Sequence, residues 1–175
     1  MLNKTYTNLD HRQLTIDPTF RHRASPDSES HLADLRKSLR NTGRLDAVLV
    51  WQEVDDAGKP TGRLVLLEGH YRIAAYRAEQ FKGKIEGNGV PSVLLKCNRL
   101  EAHLTALAAN SKNTLPLTMQ ERLNAAWSLV RTYRNNISKP RLAKASGVAE
   151  RTIANMRQQL RKFEEDKETP EGNWL

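Results

Sequence analysis

The segment KPRLAKASGVAERTIANMRQ, Lys139 to Gln158, reads as two helices joined by a tight turn. Helices that cross at such a turn need a small residue at the crossing. They also need a glycine free to take positive φ, and an aliphatic anchor on the second helix facing back. Ala143, Gly147 four residues later and Ile153 six after that meet these requirements. Leu142, Val148 and Met156 supply the remaining apolar contacts, and Ser138 stands at the cap of the first helix with Pro140 in its first turn. The spacing predicts a helix-turn-helix; an ordinary helical hairpin, whose turn also often uses glycine, is the plainer alternative.

Charge singles out the same segment. The 175 residues hold 28 Lys and Arg against 20 Asp and Glu, a formal net charge of +8. Between Met119 and Phe163 ten basic residues face only two acidic ones, Glu121 and Glu150, so the rest of the chain is neutral in sum. A basic block of this kind is the footprint of a phosphate-backbone binder, although a solvated helical surface gives the same count. As a recognition helix, Ala149 to Arg161 would present Arg151, Thr152, Asn155 and Gln158 to base edges in a major groove. Arg141, Lys144, Arg157 and Arg161 would serve as phosphate clamps, which fix register without reading sequence. Double-stranded DNA is the expected partner. One such motif reads few base pairs, so a homodimer on an inverted repeat is expected.

Composition narrows the remaining classes. With 38% hydrophobic residues the chain has material for a core, and with 6% aromatics a lean one. A single cysteine, Cys97, excludes an intramolecular disulfide and a multi-cysteine zinc site, and predicts a reducing, cytoplasmic setting. No run approaches the roughly 18 apolar residues of a membrane span, and Met1 to Tyr6 lacks the apolar core of a signal peptide.

Upstream of the basic block the signals alternate. Gln13 to Ile16 is strand-like; Ser25-Pro26-Asp27-Ser28 marks a helix start, Leu32, Leu35 and Leu39 recur at helical spacing, and Gly43 stops the helix. Ala47 to Trp51 and Arg63 to Leu67 read as a hairpin around an Asp55–Gly62 loop, followed by a helix after Gly69. Val90 to Cys97 is a further strand, with Pro91 as an edge or strand-start proline. Leu100 to Ala109 is helical, Pro116 restarts the chain, and Thr118 with Glu121 forms a capping box. Leu67 to Ala75 combines a strand end, the turn Gly69-His70-Tyr71-Arg72 and a helix start; helix N–H groups beside an arginine suit a phosphate.

The stretch DLRKSLRNTG (Asp34 to Gly43), a strand, the Gly-x-x-Arg turn, a further strand and the helical segment together resemble the ParB family of partition proteins. The resemblance runs from about Leu14 to Lys162. It implies an α+β chain: a small α/β ParB/sulfiredoxin-like N-terminal domain (1–113), an all-α helix-turn-helix domain (114–163) and an acidic polar tail (164–175). It implies site-specific DNA binding in plasmid or chromosome partition or associated gene regulation, CTP with magnesium as a switch, a partition ATPase as a further partner, and nucleoid or plasmid association. The nucleotide site would fall on Gly69, His70, Tyr71, Arg72 and Asn110. Against the family's GERR motif only Gly69 and Arg72 match, and against ENxxR, which falls on Ala109, Asn110 and Asn113, only Asn110. Asp46-Ala47 replaces the usual Gln-Pro. Each missing charge-assisted contact is worth about 1.5–3 kcal/mol, so weakened nucleotide binding, at most a feeble CTPase, is expected. The residues after Phe163 are too few for the family's C-terminal dimerisation domain, which predicts either part of a longer protein or a reduced relative working as a regulator.

Three rivals follow from the same residues. A nucleotide-independent transcriptional repressor would use the N-terminal half for dimerisation alone. Sulfiredoxin-like chemistry would need a cysteine in the Gly69–Arg72 turn, whereas Cys97 sits in a strand as a small hydrophobe. A metal-dependent nuclease would need clustered carboxylates, and only Glu68, Asp46, His70 and His103 offer themselves.

Overall fold

The computed structural model describes residues 3–21, 28–110, 117–170 and 172–174. Ser25 to Asp27, Asn113, Pro116 and the 113/114 boundary of the sequence reading lie outside the described residues. Two compact units divide between His103 and Leu104.

The first unit is a five-stranded mixed sheet in the order β1-β5-β3-β4-β2. Its strands are β1 (Asn3–Asp10), β2 (Leu14–Thr15), β3 (Val48–Val54), β4 (Pro60–Glu68) and β5 (Gly89–Lys96), with helices α1 (Glu29–Thr42) and α2 (His70–Phe81). Pairing is antiparallel for β1–β5 and β3–β4, parallel for β3–β5 and β2–β4. α1 and α2 close the core: Leu39, Ile73, Ala75 and Tyr76 pack with Val48, Val50, Leu66 and Val90. α1 begins where Ser28 Oγ accepts from His31 N–H at 3.3 Å. It ends where Gly43, at φ +76, donates to Leu39 O. Glu79 on α2, fully buried, accepts from Arg36 Nε (2.6 Å) and Arg40 Nη1 (3.0 Å) on α1 and so locks the helix pair.

A second cluster lies around Trp51. Phe20, in the 3-10 turn Pro18–Phe20, stacks on His103 at 4.0 Å and meets Trp51 at 5.5 Å; Trp51 Nε1 donates to Cys97 O. Two sequence expectations change here. β1, an eight-residue strand, was not anticipated from a polar N-terminus, because its side chains from Asn3 to Asn8 are exposed and leave no alternation to detect. Pro91 is not on an edge: β5 lies between β1 and β3. The β3 ladder begins one residue later, at Ser92, so the missing N–H is tolerated at the strand start.

Helix α3 (Arg99–Asn110) contains the division between the units. In the second unit, α4 (Met119–Tyr133) opens with the expected capping box: Glu121 N–H donates to Thr118 Oγ1 (3.2 Å) and Thr118 N–H to Glu121 Oε2 (2.8 Å). A 3-10 turn (Arg134–Asn136) leads to α5 (Lys139–Ser146) and α6 (Glu150–Glu165). Trp127, Ile137, Leu142, Ile153 and Met156 form the buried centre. Ser138 occupies the N-cap of α5 without a side-chain cap hydrogen bond. Beyond α6, Trp174 returns to α4, its ring 5.2 Å from that of Trp127 and its N–H on Asn124 Oδ1. α6 itself continues through Glu165, into the stretch read as tail. Among the described residues no helix is long and apolar enough to cross a membrane.

Candidate functional site

The turn between α5 and α6 is built from short-range bonds. Gly147 sits at φ +70 and donates to Ala143 O at 2.8 Å; Ser146 Oγ donates to Leu142 O (2.7 Å) and accepts from Val148 N–H (3.2 Å). Ala143 is only half-buried, whereas Ala145 and Ser146 are closed off, so the small residues at the packed surface of α5 lie two and three positions beyond the expected one. Val148, Ile153, Met156 and Leu160 turn inward, which sets the opposite side of α6 toward solvent.

That outward side carries Arg151, Asn155 and Gln158, all exposed and separated by four and three residues, so they share one helical face. Thr152 is half-buried at its margin. Lys162 continues the same row, a residue the sequence reading left out although its four-residue spacing from Gln158 marks it. Arg141 and Lys144 on α5 and Arg161 on α6 are exposed. Arg157 differs from them: it is half-buried, and its Nη2 donates to Ile137 O, tying α6 to the chain entering α5.

In the first unit the Gly69–Arg72 turn has a structural explanation of its own. Gly69 is at φ +102, and a Cβ there would lie 2.6 Å from Val48 Cγ1. Arg72 donates through Nη1 to the carbonyls of Ala47 (2.7 Å) and Asp46 (3.2 Å), and through Nη2 to Glu68 Oε1. The expected anion-binding cation is therefore already engaged, joining the start of α2 to the chain before β3. Tyr71 Oη accepts from Ser28 N–H at 2.8 Å, its ring edge-on to His31, so it anchors the α1 cap. His70 opens α2, and Asn110 closes α3 with its side chain outside the described residues. The residues present do not make a ready triphosphate site, since an incoming phosphate would compete with Glu68 for Arg72.

The rival chemistries find little to work with. Cys97 is half-buried, its thiol pushed up to about 11 by burial and by the Glu101 carboxylate, which keeps it protonated and poorly nucleophilic. Glu68 pairs with Arg72, and His103 stacks on Phe20. Among the described residues no group of three or more His, Cys, Asp or Glu is disposed to hold a metal ion.

No family model matches the chain, and no curated protein matches it. Among solved structures, a Pnob8-like ParB-N domain is 15% identical over 90% of this chain and 68% of that one, with a TM-score of 0.55. C-terminally truncated ParB from Caulobacter crescentus complexed with CTP-gamma-S is 19% identical over 90% and 79%, with a TM-score of 0.47. The same protein complexed to its centromeric parS site gives 16% identity over 94% and 80%, with a TM-score of 0.37. The likeness to the ParB-N domain establishes a ParB-like fold, and with it the mixed α/β class read from the sequence.

Proposed function

We propose that this protein binds double-stranded DNA at a specific sequence, reading base edges with α6, in the manner of a partition-type DNA-binding protein. The observation that carries the reading is the exposed Arg151–Asn155–Gln158 face. It stands on a helix held by a glycine turn and buried aliphatics, in a segment where ten cations face two acids. Arginine is suited to guanine and asparagine to adenine, both bidentate, and each good pair discriminates by about 1–3 kcal/mol. α5 and α6 act as a helix-turn-helix, with Arg141, Lys144 and Arg161 on phosphates; Thr152 contributes from the margin, and Arg157 with the donors that Ile137 leaves open. A homodimer on an inverted repeat doubles the short site. Partition of a replicon with its ATPase and local gene regulation are both roles such a complex serves.

Engagement of Arg72 by Glu68 and two carbonyls favours a second reading: a repressor on this scaffold that needs no nucleotide. Binding assays with and without CTP and magnesium separate it from a CTP-switched clamp. Because Arg72 also holds the fold, Arg72→Ala reports on stability before it reports on nucleotide.

Arg151→Ala and Asn155→Ala are each expected to weaken binding to a duplex selected from a random pool by about 1–3 kcal/mol, and to leave unselected DNA nearly unaffected. Fluorescence anisotropy on both duplexes measures this. Equal losses on the two DNAs would remove these residues from base readout.

A further inference from the structure

Strand β1 is one edge of the sheet, and among the described residues it pairs with β5 alone. A sheet edge presents unpaired backbone N–H and C=O groups, which proteins ordinarily blunt by a short strand, a proline or a bulge. The opposite edge follows that rule, since β2 is two residues long. β1 does not. It runs eight residues without a proline, and its register with β5 is unbroken from Asn3 to Asp10. Leu9 packs against the core under α1 and α2, so alternation sets Lys4, Tyr6, Asn8 and Asp10 on the other face. In that row Tyr6 is 80% exposed, registered opposite half-buried Val93. A tyrosine so open leaves a large apolar ring in water. The charges of the strand lie near its two ends with opposite signs, Lys4 at one and Asp10, which also holds Arg12, at the other.

We infer that β1 pairs antiparallel with β1 of a second copy, joining two five-stranded sheets about a twofold axis. The strand is self-complementary only in that direction, because antiparallel pairing brings the Lys4 end of each copy to the Asp10 end of the other. A parallel pair would set lysine against lysine and could not be twofold. Symmetry also restricts the register. Opposed residues must both turn their backbone groups outward, so their numbers differ by an even count and the axis passes through a residue. An axis at Tyr6 stacks the most exposed ring of the strand on its own copy. It also opposes Thr5 to Thr7 and leaves Lys4 diagonal to Asp10 of the second copy, within reach of its long side chain. Aromatic pairs, threonine pairs and opposite charges are the cross-strand pairs that favour a sheet. The pairing supplies an interface for a homodimer and does not rest on DNA recognition by α6.

The test uses the full chain with no DNA present, and combines sedimentation equilibrium with amide hydrogen exchange. Half of the β1 amides point to β5 and half point outward. The outward half is expected to gain protection as protein concentration rises, in step with dimer formation. Tyr6→Asp and Tyr6→Lys, both at an exposed position, place like charges on the axis and should each weaken self-association by about tenfold or more. Mixed together, the two variants should pair with each other about tenfold more tightly than either pairs with itself. Misfolding cannot imitate that recovery. A chain that stays monomeric, or variants that associate as the wild type does, would overturn the inference. So would a dimer whose outward β1 amides stay unprotected, or protection independent of concentration, which gives the edge to another segment of the same chain. None of these outcomes touches the α6 reading, and a chain that dimerises through β1 yet selects no duplex refutes that reading alone.

Discussion

Gly69→Ala is expected to destabilise the first unit by about 2–5 kcal/mol, a large part of the roughly 5–15 kcal/mol that holds a typical domain together. Two penalties combine. An alanine at φ +102 is strained whatever space surrounds it, and its Cβ would lie 2.6 Å from Val48 Cγ1. Val48 is fully buried at the start of β3 and packs in the core with α2, so it has nowhere to retreat. The added methyl also comes within 3.3 Å of Arg72 Nε, loosening the guanidinium that bridges Glu68 and the Asp46 and Ala47 carbonyls. Urea denaturation of wild type and variant decides it; a loss below about 1 kcal/mol would mean the turn is less tightly packed than described.

Glu79→Gln is the second large effect, expected to remove about 2–3 kcal/mol by leaving Arg36 and Arg40 without their shared carboxylate. Those arginine side chains keep 26% and 42% of their exposure, so water tempers the loss. The Arg36 hydrogen bond, reinforced by Arg40, holds the Glu79 carboxyl below its ordinary value of 4.5 despite burial. A carboxyl with a lowered folded value stabilises the fold above about 4.5 and loses that contribution as pH falls through the folded value. Wild-type stability should therefore fall off below pH 4.5 more steeply than that of Glu79→Gln. Parallel pH profiles would show that the ion pair contributes little.

What the sequence made legible was local. The α5–α6 turn announces itself through Gly147, Val148, Ile153 and Met156, because a tight turn and two short helices constrain residues close together in the chain. Gly43 and the Thr118–Glu121 box mark helix ends for the same reason. Long-range engagements stayed hidden. Arg72 looked like an anion ligand until the carbonyls of Asp46 and Ala47, some 25 residues away, were seen to hold it. Arg157 reads as a phosphate clamp, and the carbonyl of Ile137, 20 residues back, which also engages one of its nitrogens, leaves no local sign. β1 carries almost no apolar signature because its ladder to β5, rather than burial, defines it. The return of Trp174 to Trp127 likewise has no local signal in a stretch dominated by acids.

Selection of duplexes from a random pool, followed by titration of the best against a scrambled duplex of equal length at fixed salt, tests site-specific DNA binding most directly. The α6 reading predicts an enriched sequence bound about a thousandfold or more tighter than the scrambled one, with both affinities falling as salt rises. Equal affinity for the two duplexes would reduce the basic block to a nonspecific surface and contradict base readout by Arg151 and Asn155.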